Sequence, residues 1–117
     1  MTKDPIRSMA FLEPLPGMEQ EMVAFLTEFY AMMYDKQYSR DMLFQDQKKT
    51  DIYVHVRIWF SPEAREAAMH DPDVHRYWMK LPELATVTSI YEDLETIFST
   101  ERSVVAQDAA KKKEESL

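Results

Sequence analysis

The pattern of hydrophobic and polar residues divides the chain into short alternating segments and longer periodic ones. Residues 6–12 form a short apolar segment that ends in a proline-rich turn, and residues 38–48 and 52–60 alternate between apolar and polar positions. Alternation with a period of two predicts β-strands, because successive side chains of a strand point to opposite faces of the sheet. A fourth strand is expected over residues 86–98.

The stretches between these strands have helical spacing. In residues 17–36, apolar side chains recur every three or four positions, which predicts an amphipathic helix. This stripe consists of Met18, Met22, Phe25, Phe29 and Met32, and it is widened by Leu26, Tyr30 and Met33. A second helix is expected to begin at Ser61, a capping residue that is followed by proline and then by an acid. The Asp-Pro-Asp segment at residues 71–73 repeats this signal, so the second helix is expected in two segments that end before Pro82.

The predicted order of elements is strand–helix–strand–strand–helix–strand. This order indicates an α+β fold of the ferredoxin-like βαββαβ type, with a four-stranded antiparallel sheet and two helices on one face. A chain of 117 residues suits a single domain, which we place at residues 1–100. Residues 101–117 are polar and rich in Ala, Lys and Glu, and we expect a tail that is helical or disordered.

Two predicted strands have faces of different character. In residues 38–48, Met42, Phe44 and Asp46 are expected on one face. One face of residues 52–60 carries Ile52, Val54, Val56, Ile58 and Phe60, and the other carries Tyr53, His55, Arg57 and Trp59. Neither face of this strand is suited to water, whereas the helices cover only one face of the sheet. We therefore expect a second subunit to cover the other face, which predicts a homodimer.

Composition excludes several classes of function. The net charge of −7 argues against nucleic-acid binding, which needs clustered Lys and Arg. The absence of cysteine excludes disulfides and thiolate metal sites, and a single glycine excludes glycine-rich phosphate loops. The sequence has neither a signal peptide nor an apolar run long enough to span a bilayer, so we expect a cytoplasmic protein with no membrane partner.

Several short segments carry a family resemblance. The first predicted helix opens with Leu-Pro-Gly-Met-Glu at residues 15–19, and the third strand ends in Ile-Trp-Phe at residues 58–60. Ser-Pro-Glu-Ala follows at residues 61–64, and the second helix is broken by Asp-Pro-Asp-Val at residues 71–74. In this pattern residues 6–98 resemble the antibiotic biosynthesis monooxygenase domain family of dimeric α/β barrels.

The resemblance implies a homodimer in which each subunit has a pocket between sheet and helices. Some members of this family oxygenate electron-rich quinol or polyketide substrates without metal or flavin, relatives degrade haem, and others isomerise or bind small molecules. The haem-degrading branch relies on Asn, Trp and His, and the anthrone-type oxygenases use Asn beside Trp. This sequence contains no asparagine, and only the tryptophan has a match, at Trp59.

Three functional hypotheses follow. The leading one is a cofactor-independent monooxygenase that acts on a small planar molecule of the quinol or polyketide type. The alternative is a non-catalytic dimeric module of the same fold that binds a small hydrophobic or aromatic molecule or a partner. Haem binding or degradation, with His55 or His75 as the candidate iron ligand, is the third hypothesis.

The face formed by Tyr53, His55, Arg57 and Trp59 is the principal candidate site. Cofactor-free oxygenation needs a base that makes a substrate carbanion or phenolate, and a donor that holds the developing charge. His55 is the candidate base and Arg57 the candidate anion holder. Tyr53 and Trp59 are candidates for stacking on a flat substrate. The alternative interpretation is that this face forms the dimer contact, with His55 and Arg57 paired to acids of the second subunit.

The second helix supplies further candidates. His75 and Trp78 are expected to contact the substrate. His55, His70 and His75 have no spacing typical of a metal site, so no metal is expected.

Overall fold

The computed structural model describes residues 5–100, and the predicted tail at residues 101–117 lies outside them. Its strands are β1 (Arg7–Pro14), β2 (Ser39–Gln45), β3 (Tyr53–Trp59) and β4 (Ala85–Leu94). Its helices are α1 (Glu19–Asp35), α2 (Pro62–Met69) and α3 (Pro72–Lys80), with a short 3₁₀ turn at Leu81–Glu83 before β4. No helix among these residues is long and apolar enough to cross a membrane.

The four strands form one antiparallel sheet in the order β2-β3-β1-β4. The central strands β3 and β1 pair with Ala10 opposite His55 and Ser8 opposite Arg57. Strand β2 pairs with the other edge of β3 and places Asp41 opposite Arg57. Since directly opposed residues of an antiparallel pair share a face, this register places all five side chains on one side of the sheet. The predicted ferredoxin-like α+β fold is confirmed.

The break in the second helical region is also confirmed, and both parts have side-chain caps. The hydroxyl of Ser61 accepts a hydrogen bond of 2.9 Å from the backbone N–H of Ala64 at the start of α2. The carboxylate of Asp71 accepts one of 2.8 Å from the backbone N–H of Asp73 at the start of α3. Asp71 also accepts hydrogen bonds from Tyr38 Oη at 2.6 Å and Lys36 Nζ at 2.8 Å, which tie α3 to the end of α1.

The helices cover the face of β3 that carries Tyr53, His55, Arg57 and Trp59. The ring of Tyr30 on α1 stacks on His55 with centroids 4.4 Å apart, and Phe29 on α1 lies over the Arg57 guanidinium. The interpretation of this face as a dimer contact, with acids supplied by a second subunit, is therefore wrong. The acid that pairs with His55 and Arg57 is Asp41, from the neighbouring strand of the same chain.

The opposite face of the sheet is uncovered by any described element of the chain. Val54, Val56 and Ile58 of β3 lie there, beside Met9 and Phe11 of β1. Met42 and Phe44 of β2 and Tyr91 of β4 extend this face and are each about half exposed. We call this surface the open apolar face.

Two strands end three or four residues earlier than predicted. Strand β2 ends at Gln45, because the Asp46 carboxylate accepts the backbone N–H groups of Lys48 and Lys49 and forms a turn. Asp46 therefore does not share the strand face with Met42 and Phe44. Strand β4 ends at Leu94 and does not reach residue 98.

Candidate functional site

A cavity of about 680 Å³ lies between the sheet and the helices. Every strand except β2 and all three helices contribute to its wall. Most of the wall is apolar, and its large side chains are Leu26, Phe29, Trp59, Met69, Trp78 and Ile90. On the β4 side, Val87 and Ile90 line the cavity while remaining 41% and 59% exposed, so the cavity is open there to solvent.

A buried polar cluster lies at the wall of this cavity, on the sheet. Asp41 Oδ1 lies 2.7 Å from His55 Nε2 and 2.5 Å from Arg57 Nε. Asp41 Oδ2 accepts a third hydrogen bond, of 2.9 Å, from the hydroxyl of Ser39. The Asp41 side chain is fully buried and that of Arg57 is 6% exposed. A buried carboxylate is stable only with such partners, and here they come from the adjacent strand in register.

The pKa values of both titratable members are lowered. Burial raises the pKa of the Asp41 carboxyl, but the hydrogen bond from His55 and the charge of Arg57 outweigh it, so Asp41 is ionised. Burial lowers the pKa of His55 below its ordinary value, against the opposing effect of the hydrogen bond to Asp41. His55 is therefore neutral at pH 7. Because an ionised carboxylate only accepts hydrogen bonds, His55 Nε2 carries the proton and Nδ1 is the basic nitrogen.

The Arg57 guanidinium is fixed between two aromatic rings. Its Cζ atom lies 5.2 Å from the centroids of both Phe29 and Trp59. Its Nε donates to Asp41, whereas Nη2 is buried and has no hydrogen-bond partner among the described residues. The hydroxyl of Tyr30 is likewise buried and unpaired within that part of the chain.

The Trp59 ring is held from both its edge and its face. Its Nε1 donates a hydrogen bond of 3.2 Å to the Ser8 hydroxyl, and the Arg65 guanidinium of α2 lies 5.9 Å from its centroid. Arg65 also pairs with Asp93 of β4 and so connects α2 to the edge strand across the cavity. Trp59 therefore presents a flat, oriented surface at the cavity wall.

Four of the six residues predicted to form the site line the cavity. They are His55, Arg57, Trp59 and Trp78. Tyr53 does not line it, because its side chain is buried in the hydrophobic core. His75 does not line it either: it is exposed, its Nε2 lies 2.5 Å from the carbonyl oxygen of Met69, and its ring lies edge-on to Trp78. The structure therefore corrects the prediction that Tyr53 and His75 contact a substrate in this cavity.

Two features of the site, Asp41 and the position of Tyr30, were not predicted from the sequence. Asp41 has a sequence signal, because period-two alternation in β2 places it opposite the Met42 and Phe44 face. Pairing across the short turn between β2 and β3 then brings it beside Arg57. Tyr30 belongs to the predicted α1 stripe, but helical periodicity does not show that it stacks on His55.

The described residues contain no group of three or more His, Asp or Glu side chains that could hold a metal ion. His55 Nε2 is held by Asp41, and His70 pairs with Glu66 on the surface of α2. The imidazole of His55 therefore presents only Nδ1 for any further ligand or proton.

Comparisons with known proteins show likeness in structure alone. No protein-family model matches the chain, and no curated protein sequence matches it. SnoaB from Streptomyces nogalater, a cofactor-independent oxygenase, superposes with a TM-score of 0.66 at 17% identity, over 82% of this chain and 99% of SnoaB. The chain has the fold of the antibiotic biosynthesis monooxygenases.

A second solved structure supports the same conclusion. A protein from Chloroflexus aurantiacus assigned to the antibiotic biosynthesis monooxygenases superposes with a TM-score of 0.65 at 19% identity, over 84% of this chain and 98% of that one. The resemblance drawn from the sequence is thus confirmed at the level of the fold. At such low identity, the function must be argued from the site itself.

Proposed function

We propose that this protein is a cofactor-independent monooxygenase that acts on a small, planar, electron-rich molecule of the quinol or polyketide type. The observation that carries the proposal is the Asp41–His55–Arg57 cluster at the wall of an apolar cavity. It combines a neutral base of defined tautomer with a fixed cation. The likeness in fold to SnoaB, itself a cofactor-independent oxygenase, supports this reaction class.

The cavity suits a flat ligand. Its volume of about 680 Å³ falls within the usual range of small-molecule sites, roughly 300–1,000 Å³. Trp59 and Trp78 offer aromatic surfaces for stacking, and His55 and Arg57 offer polar groups on the sheet side of the wall. A bound planar molecule would therefore be oriented by its polar edge toward His55 and Arg57.

In the proposed reaction His55 Nδ1 removes a proton from an acidic O–H or C–H of the substrate. Asp41 acts as a positioning residue that stabilises the resulting imidazolium, and Arg57 stabilises the negative charge on the substrate. The substrate anion transfers one electron to O₂, and the two radicals combine to a hydroperoxide. Loss of water then leaves a carbonyl, so one oxygen atom enters the product and the other leaves as water with the two hydrogens that the substrate loses.

Oxygen uptake tests this proposal. A panel of quinols and anthrones should include a substrate that the wild type oxidises, and we expect His55→Ala to lower kcat about 10²–10⁴-fold, the usual contribution of a general base. His70→Ala is the matched control, because His70 is exposed at the C-terminal end of α2, where its side chain pairs with Glu66. Full uptake by folded His55→Ala would refute the role of His55. No uptake across the panel would favour the non-catalytic binding module.

We also propose that the protein is a homodimer joined through the open apolar face. This surface combines Met9, Phe11, Val54, Val56 and Ile58 with the half-exposed Met42, Phe44 and Tyr91. Its extent and apolar character support burial by a second copy, since monomeric proteins rarely expose large contiguous apolar patches. The cytoplasmic location remains a prediction from the sequence.

A further inference from the structure

Two buried polar atoms at the wall of the cavity have no hydrogen-bond partner among the described residues. They are Tyr30 Oη and Arg57 Nη2, and both side chains line the same cavity as His55. Leaving a buried donor unpaired costs free energy, and such groups concentrate at sites where a ligand or water supplies the missing partner. Each of the two atoms therefore lacks an acceptor, which an oxygen atom of a bound ligand could supply.

Tyr30 is held as a neutral donor in this arrangement. Its ring stacks on the imidazole of His55, with centroids 4.4 Å apart and planes inclined by 13°. Burial raises the pKa of its hydroxyl, against the opposing charge of Arg57, so the hydroxyl keeps its proton at neutral pH. The proposed oxygenation assigns no role to this group.

Enolisation requires a base beside the acidic C–H and donors for the oxygen that becomes charged, and residues of both kinds line this cavity. We propose that the same site catalyses an oxygen-independent reaction, the reversible enolisation of planar aryl ketones, in which His55 moves the proton and Arg57 and Tyr30 bind the enolate oxygen. The inference rests on the proposed function, because both reactions use His55 as the base, but it extends to ketones that do not react with O₂.

The reaction is balanced without an oxidant. His55 Nδ1 takes a proton from the carbon next to the carbonyl, and the electron pair of that C–H bond forms a C=C bond. The carbonyl becomes a C–O⁻ group that accepts hydrogen bonds from Arg57 Nη2 and Tyr30 Oη. Return of a proton from His55 to carbon restores the ketone. In D₂O the imidazolium exchanges its proton with solvent, so the ketone gains deuterium.

Deuterium exchange tests the inference. Wild-type protein and either 1-indanone or anthrone are incubated in D₂O under argon, and the deuterium in the methylene group is counted by mass spectrometry. We expect exchange at least about 10-fold faster than in buffer, loss of this acceleration in His55→Gln, and a rate about 10-fold lower in Tyr30→Phe. Tyr34→Phe is the matched control on the same helix, because its exposed ring packs on Phe60 outside this cavity, and it should exchange at the wild-type rate.

The outcomes separate this inference from the proposed function. Exchange of the ketones without oxygen uptake in air on any quinol or anthrone of the panel would support the inference and remove the monooxygenase function. Oxygen uptake on a quinol or on anthrone without faster exchange of 1-indanone would overturn the inference and leave the monooxygenase function in place. Exchange at the wild-type rate in folded Tyr30→Phe would overturn the assignment of Tyr30.

A measurement on the wild type alone guards against variants that fail to fold. Bound p-nitrophenol should remain a coloured phenolate at pH values below its pKa in solution, because Arg57 and Tyr30 donate to its oxygen. Binding of p-nitrophenol in its neutral form, or no binding, would contradict the predicted oxyanion site.

Discussion

Asp41 and His55 determine each other's protonation state at the scale of single residues. Three donors reach the Asp41 carboxylate, which keeps it ionised despite complete burial. Burial keeps His55 neutral, and its hydrogen bond to Asp41 defines which nitrogen is basic. The site therefore contains a base that needs no further activation at neutral pH.

This pairing predicts a stability that falls in acid. The pKa of His55 is lower in the folded protein than its ordinary value of 6.5, so the unfolded chain binds a proton more readily. The stabilising contribution is present above pH 6.5 and is lost as the pH falls through the lower folded pKa. The pKa of Asp41 is also lower in the folded protein, so its contribution to the free energy of unfolding is lost as the pH falls below its ordinary value of 3.8. Urea unfolding at pH values on either side of 6.5 measures the first effect.

Two glutamine variants check the assignment of this pH dependence. His55→Gln should weaken the decline in the free energy of unfolding just below pH 6.5, whereas His70→Gln should retain the decline of the wild type. An unchanged decline in His55→Gln would show that another group causes it.

Sequence patterns predicted some residues of the site and not others. Period two predicts that His55, Arg57 and Trp59 share a face, and the structure places all three at the cavity. Asp41 requires the register between two strands as well, which depends on where the turn after Gln45 begins. Tyr53 lies on the same face, but it is the first residue of β3 and its side chain is buried in the hydrophobic core. Periodicity identifies a face, but it does not show which part of that face borders a cavity.

At the scale of elements, the caps of α2 and α3 explain why a single helical region is split. Ser61 and Asp71 each accept a backbone N–H at a helix start, and each is followed by proline at the first helical position. The split matters for the site because α2 carries Arg65 and Met69, and α3 carries Trp78, to different parts of the cavity wall.

The cap of α2 gives a prediction for stability. Ser61→Ala should lower the free energy of unfolding by about 1 kcal/mol, because the backbone N–H of Ala64 loses its partner. Ser61→Asp restores an accepting side chain and should recover most of the loss. Urea unfolding curves for the two variants measure the difference, and equal stability of Ser61→Ala and the wild type would show that the cap contributes nothing.

Helix starts were predictable because serine, aspartate and proline act locally. Strand ends were not, because they depend on turns and on neighbouring strands. Asp46 was predicted within a strand, yet its carboxylate makes a turn with two backbone N–H groups. The end of β4 at Leu94 depends on its pairing with Arg7 of β1, a contact that no local pattern shows.

At the scale of the whole molecule, the two faces of the sheet differ in what covers them. One face meets the helices and forms the cavity, and the open apolar face is proposed to meet a second copy. The sequence predicted that both faces need cover, but it left open which of them faces the helices. In the structure, α1 packs on the face that carries His55 and Arg57. Asp41 of the same chain supplies the acid that pairs with these two residues.

A charge on the open apolar face should prevent dimerisation. Phe44 on the edge strand β2 is 51% exposed, so Phe44→Glu adds a charge with little effect on the folded monomer. Light scattering at micromolar concentration should give a dimeric mass for the wild type and a monomeric mass for Phe44→Glu. Met79→Glu, at an 80% exposed position on α3, should remain dimeric. A monomeric wild type would contradict the proposal.

We propose that His55 initiates the transfer of one atom of O₂ to a planar substrate in this cavity. The most direct measurement is the mass of the product formed under ¹⁸O₂ from a quinol or anthrone that the protein oxidises. We expect one ¹⁸O atom in each product molecule made by the wild type, and a rate near that of buffer for His55→Gln. A product with oxygen taken from water, or equal labelling rates for the two proteins, would contradict it.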